Sequence, residues 1–128
     1  MGIYGFLLVF LGGGLGSAGR HGVNLLALRL VGGHYPFGTF AINVAGAFAM
    51  GAAFELFAQR TALPPAARLF LTTGVIGGFT TFSTYTLEIA VLHERGELAA
   101  ALLYALGSVA VGLLALAAGI GLIKWLCT

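Results

Sequence analysis

The sequence predicts an all-α membrane protein, four transmembrane helices in a single domain over residues 1–128. Three observations predict it. Hydrophobic residues make up 59% of the chain and charged residues 8%, against about a quarter charged in a soluble domain. Mean hydropathy is +1.03, so the chain cannot cover itself for water. Apolar runs recur four times, each near the about 20 residues that a helix needs to cross roughly 30 Å of hydrocarbon.

The first span is placed at Ile3 to about Leu28, interrupted by Arg20 and Asn24. Its start, MGIYGFLLVF, lacks a basic region and an early cleavage site, so it reads as a span rather than a removable signal. The second runs from about Phe37 to Ala58, the third from about Ala66 to Leu92, and the fourth from Leu98 to Ile123. Between them lie Gly32-Gly33-His34-Tyr35-Pro36, Thr61-Ala62-Leu63-Pro64-Pro65 and His93-Glu94-Arg95-Gly96-Glu97. Connections this short predict an up-and-down arrangement in which each helix lies antiparallel beside the next.

Small residues let helix backbones approach in lipid. The 21 glycines supply them, including Gly12, Gly16 and Gly19 in helix 1 and Gly46 and Gly51 in helix 2. Helix 4 reads small on nearly every face, through Gly107, Ala110, Gly112, Ala115, Ala118 and Gly119. A chain this small and this rich in packing residues is expected to oligomerise.

The charges exclude several functions. Net charge is +2, and the six Lys and Arg are spread singly, so no basic stripe suggests nucleic acid. His21, His34 and His93 stand too far apart for a zinc site, and the single Cys127 excludes an internal disulfide. GLGSAG, Gly14 to Gly19, matches the dinucleotide fingerprint letter for letter but lacks the strand before it and the acid about 20 residues on, so these glycines read as packing positions. By side of the membrane, Arg60, Arg68 and Lys124 stand against Arg29 and Arg95, with Arg20 as a third if it counts. Orientation follows this asymmetry; here it is nearly balanced. Either details of the chain decide one orientation, or both insert and an antiparallel dimer becomes available.

The polar residues inside the spans carry the functional reading. Arg20 either snorkels to the headgroups or lines an aqueous vestibule that concentrates anions. Asn43 shares a helix face with Thr39 and Gly46; it either makes an interhelical hydrogen bond or presents an amide to a permeant anion. Tyr104 and Ser108, four apart, form a second polar stripe. No acid occupies the middle of a span, since Glu55 and Glu88 lie toward helix ends. A small multidrug-type carrier would need such a carboxylate, and a non-transporting scaffold would not need the stretch described next.

GGFTTFSTYTLE, Gly77 to Glu88, places five hydroxyl residues, Thr80, Thr81, Ser83, Thr84 and Thr86, beside a glycine pair in an apolar span. The glycines weaken a helix and the hydroxyls offer partners to freed backbone groups, so a break near Gly77 to Thr80 is expected. Non-helical backbone at membrane depth survives only when buried in protein or lining a wet cavity. Phe79, Phe82 and Tyr85 form a ridge whose ring edges, carrying partial positive charge, suit an anion. The residues alone reach an aqueous or ionic pathway with anion bias.

Across its whole length the chain resembles the Fluc (CrcB) family of microbial fluoride channels. GRHGVNLL in helix 1, FGTFAINVAGAFAMG in helix 2, GGFTTFSTYTLE in helix 3 and Tyr104 with Ser108 in helix 4 carry the resemblance. It implies passive fluoride export by a multi-pass protein of the plasma or inner membrane, an antiparallel dual-topology homodimer with two pores. Helix 3 would break mid-membrane, and the carbonyls of Gly77 and Thr80 from both subunits would hold one structural sodium ion on the dimer axis. Phe82 and Tyr85 match the paired aromatics whose edges face fluoride, and Asn43 an amide that bonds the ion or orients those rings. Thr39, Tyr104 and Ser108 match a track of hydroxyl groups, Arg20 a vestibule cation, and Glu88 an acid near the end of the pore. Two positions depart from the pattern: Tyr85 stands where many relatives have phenylalanine, and Gly112 where some continue the serine track.

Overall fold

A computed structural model describes residues 2–128. Its four long helical segments are each apolar and long enough to cross a membrane. Helix α1 is Gly2–Val31 and α2 is Phe37–Gln59. The third segment begins as Pro65–Arg68, widens into a π-helical stretch, Leu69–Ile76, and closes with Gly77–Phe79; together we call it α3. Helix α4, Phe82–Glu94, follows two extended residues, and α5 is Leu98–Leu126. The ends fall within three residues of the predicted spans, α3 and α4 together making up the third.

The ends are set by local chemistry. Gly32 takes φ +75° after α1 and its N–H bonds the Leu28 carbonyl at 3.1 Å, a left-handed stop that glycine adopts without strain. Pro64 and Pro65 start α3, where the missing N–H costs nothing. At the end of α4, Gly96 sits at φ +80°; its N–H bonds the His93 carbonyl and that of Glu97 bonds Leu92, the paired closure of a Schellman motif.

The up-and-down path is present, but the tightest seams are not between neighbours in sequence. Helix α1 packs on α3 with the two chains running the same way: Gly12 faces Phe70 and Gly74, Gly16 faces Val75, and Gly78 faces Gly13. A Cβ on Gly12 would lie 2.6 Å from the Phe70 carbonyl oxygen. Helices α2 and α5 make the second such pair, with Gly51 against the Leu116 carbonyl and Gly119 against that of Phe48. Close backbone approach, rather than connection length, decides which helices embrace. Gly19 is looser, and Gly107 and Gly112 of α5 meet nothing within 4 Å, so only part of the small-residue surface is used within the chain.

The buried core is thin, with Ile42 and Leu92 its largest fully buried side chains. Leu92, Ala101 and Tyr104 cluster with Phe40, Tyr85 and Ile89, which joins α4 to α2 and α5. Large apolar residues such as Phe6, Phe10, Leu103 and Leu114 point outward. In water that surface would be costly; against lipid tails it is not.

Candidate functional site at the α3 to α4 junction

Between Phe79 and Phe82 the chain runs extended, with Thr80 at φ −79°, ψ 158° and Thr81 at φ −146°, ψ 120°. Asn43 on α2 holds this junction. Its amide nitrogen donates to the Thr81 carbonyl at 3.0 Å, and its Oδ1 accepts the Thr81 N–H at 2.9 Å. The side chain thus replaces both bonds that a helix would have given Thr81. Thr81 then caps α4, its Oγ1 accepting the Thr84 N–H at 3.2 Å.

These two diversions free two carbonyls. In a continuous helix the Thr81 N–H would serve Gly77 and the Thr84 N–H would serve Thr80. Both now point elsewhere. Arg20 of α1 donates one bond to the Thr80 carbonyl at 3.2 Å, leaving a lone pair, and Ser17 reaches the Gly78 carbonyl at 3.3 Å. Other hydroxyls of the stretch serve their own helix: Thr80 bonds back to Ile76 and Thr86 to Ser83. The hydroxyl excess therefore divides between holding the junction and ordinary helix back-bonding.

Asn43, Thr80, Thr81, Phe82, Tyr85, Ser108 and Val109 line one open groove of about 260 Å³. Phe82 stands 76% exposed on its edge. The Phe82 and Tyr85 rings lie 5.8 Å apart, and Tyr85 meets Tyr104 edge to face at 5.3 Å. The Tyr85 hydroxyl donates to the Ala105 carbonyl of α5, so it braces two helices instead of facing the groove. Ser108 Oγ is buried without a hydrogen-bond partner. A buried hydroxyl with nothing to bond is costly, and this one borders the groove.

Toward the connection end a second cavity of about 230 Å³ is lined by Asn24, Thr39, Tyr35, Thr84 and Glu88 among others. Thr39 is 2% exposed, and the Tyr104 hydroxyl donates to Glu88 Oε1 at 3.2 Å. The residues singled out in the sequence therefore fall in three places. Asn43, Phe82, Tyr85, Ser108 and Thr80 share the groove, Thr39 and Tyr104 lead to the second cavity, and Arg20 and Gly77 sit at the junction behind them. Thr81 and Thr84 were read only among the five hydroxyls offered to freed backbone groups, and Asn24 only as an interruption of the first span; none of the three was given a place in the pathway. Thr81 could have been found from its place three residues before Thr84 at a helix start, and Asn24 as an amide four residues after Arg20.

Residues 7–120 match the family described as CrcB-like protein, Camphor Resistance (CrcB). The chain belongs to the CrcB family. Relatives within it include a protein named fluoride-specific ion channel FluC from Methylobacterium nodulans, 58% identical over 118 residues, 92% of this chain and 94% of the relative. FluC 2 of Nitrobacter hamburgensis is 50% identical over 121 residues, 94% and 98% of the two chains. The FluC of Paracoccus denitrificans is 53% identical over 117 residues, 90% of each. These CrcB relatives carry the name of an ion channel, not of an enzyme, and they match nearly the full length of the chain.

Proposed function

We propose that this protein is a fluoride-selective channel of the inner membrane that lets fluoride leave the cell passively. The observation that carries the reading is the groove of uncharged donors and ring edges beside Ser108, whose buried hydroxyl has no partner among the described residues. The names of the relatives point to the same ion.

Fluoride is small and tightly hydrated, so a pore must return several donors as water is stripped, each weak enough to release the ion. Ser108 can turn its hydroxyl toward the groove. Asn43 has one N–H left after its bond to Thr81, since an amide carries two. The edges of Phe82 and Tyr85 add partial positive charge with no fixed cation to trap the ion. Beyond Tyr85, Thr39 and Tyr104 continue the hydroxyl track to the second cavity, while Arg20 supplies a cation behind the junction. An interior-negative membrane potential contributes about 2.3 kcal/mol per charge per 100 mV, enough to drive export without another energy source.

The working unit in this reading is an antiparallel, dual-topology homodimer with two pores. The groove is open along the side of Phe82, so a second copy is needed as its other wall. A break of the third span at mid-membrane depth belongs to the same arrangement. The carbonyls of Gly77 and Thr80 suit a structural sodium ion: both are hard oxygen donors, and both have lost their helical N–H partners. With both copies contributing, sodium would supply positive charge that ties two junctions together. Reconstitution in liposomes loaded with potassium fluoride tests the reading, using an ion-selective electrode. Fluoride efflux well above protein-free liposomes, with chloride retained, is the expected result; well-folded protein that releases no fluoride would refute it.

A further inference from the structure

At the end of the bundle where α1 meets α2 and α4 meets α5, three donors converge on one carboxylate. Glu97 Oε1 lies 3.3 Å from His34 Nε2 and accepts the Tyr35 hydroxyl at 3.4 Å, while Arg95 Nε stands 4.0 Å from Oε2. Arg95 also donates through Nη1 to His34 Nδ1 at 3.2 Å and through Nη2 to the His34 carbonyl at 2.7 Å. Because Nδ1 accepts from arginine, the ring proton must sit on Nε2, aimed at Glu97. Tyr35 belongs at once to this cluster and to the wall of the cavity that holds Asn24, Thr39, Thr84 and Glu88. The cluster adjoins that cavity through Tyr35 and through Gly33, the residue before His34.

The carboxylate fits its site poorly. Glu97 Oε2 is buried with no hydrogen bond, and the residue sits at the N-cap of α5 without bonding any N–H of that helix. A stable staple would satisfy both oxygens, since each unpaired buried oxygen is costly. An imidazole N–H and a phenol that meet at Oε1, with a guanidinium 4.0 Å from the other oxygen, are a set of donors that suits a small anion. We propose that Glu97 is a tethered carboxylate occupying an anion site formed by His34, Tyr35 and Arg95, and that a permeant anion displaces it there, beside the cavity. The carboxylate then acts as a gate. It keeps the donors filled when anion is scarce and swings aside, toward water, when fluoride competes for them.

This inference rests on the proposed function for the identity of the anion, but its binding arm does not depend on conduction. Protein carrying 15N-labelled histidine, folded in detergent micelles, is titrated with potassium fluoride against potassium gluconate while the His34 ring resonances are followed. Glu97→Gln is expected to bring saturation of the His34 shift to at least tenfold lower fluoride than the unaltered chain, and Arg95→Gln in that background to abolish it. Should Glu97→Gln not fold, Glu97→Ser makes the same comparison with a residue favoured at helix starts. In liposomes, Glu97→Gln is expected to raise efflux at low fluoride, with Lys124→Gln at the opposite end as the unaffected control. A His34 resonance that ignores fluoride in the glutamine and serine variants, or saturates as in the unaltered chain, would overturn the proposal. Titration with no efflux in any variant would instead overturn the channel reading and leave this site standing.

Discussion

Asn43 offers the sharpest perturbation because its amide alone replaces two main-chain bonds. Asn43→Leu keeps the side chain's branching at Cγ and removes both partners of Thr81, a residue 7% exposed whose N–H and carbonyl now bond at 2.9 and 3.0 Å. Each buried group left unpaired costs about 1–3 kcal/mol, so the extended junction loses about 2–6 kcal/mol relative to a continuous helix. The competing state is already specified: the Thr81 N–H turns back to the Gly77 carbonyl, and Phe82 and Tyr85 rotate with it. At the low end of that range the ratio of extended to helical junctions falls about 30-fold. Fluoride efflux should fall with the loss of the extended junction and of the Asn43 N–H, and hydrogen exchange at the Thr81 and Thr84 amides should change with it. Asn43→Asp keeps the acceptor for Thr81 N–H but loses the donor and adds a negative charge to the groove, so flux should also fall while exchange at Thr81 stays slow. Unaltered efflux and unaltered exchange in Asn43→Leu would refute the role given to this side chain.

Three further outcomes follow from the same contacts. Ser108→Ala removes a hydroxyl that has no partner among the described residues, so thermal stability in detergent should hold or rise while efflux drops; lost stability would show that the hydroxyl is bonded after all. Gly96→Ala forces a side chain onto φ +80° and should destabilise the end of α4 by about 1–2 kcal/mol, read as a lower unfolding midpoint. Gly51→Val drives a branched side chain into the Leu116 carbonyl and should prevent α2 and α5 from closing, with loss of folded protein on size exclusion; normal yield would contradict the seam.

Hydropathy and connection chemistry made the four spans legible, because length and apolarity are local properties of the chain. The pairing of α1 with α3 and of α2 with α5 was not legible, since short connections argue for sequential neighbours. What decides it is where a missing Cβ meets a carbonyl, as at Gly12 and Gly51. The π-helical stretch Leu69–Ile76 carried no signal either. At the candidate site the residue types were visible and their partners were not. Asn43 could be read as an interhelical hydrogen bonder, yet only the fold shows its bond going to the main chain of Thr81. Tyr85 was legible as a departure from phenylalanine, yet only the fold shows its hydroxyl bonded to the Ala105 carbonyl. Spacing gives faces; it does not give the element opposite.

The most direct test of the central claim is the reversal potential of the purified protein in a planar bilayer, with fluoride at a tenfold gradient and chloride making up the difference. A passive fluoride-selective pore should reverse at about 59 mV, with the sign of the fluoride gradient. Reversal near zero, or at the potential set by chloride, would contradict the account.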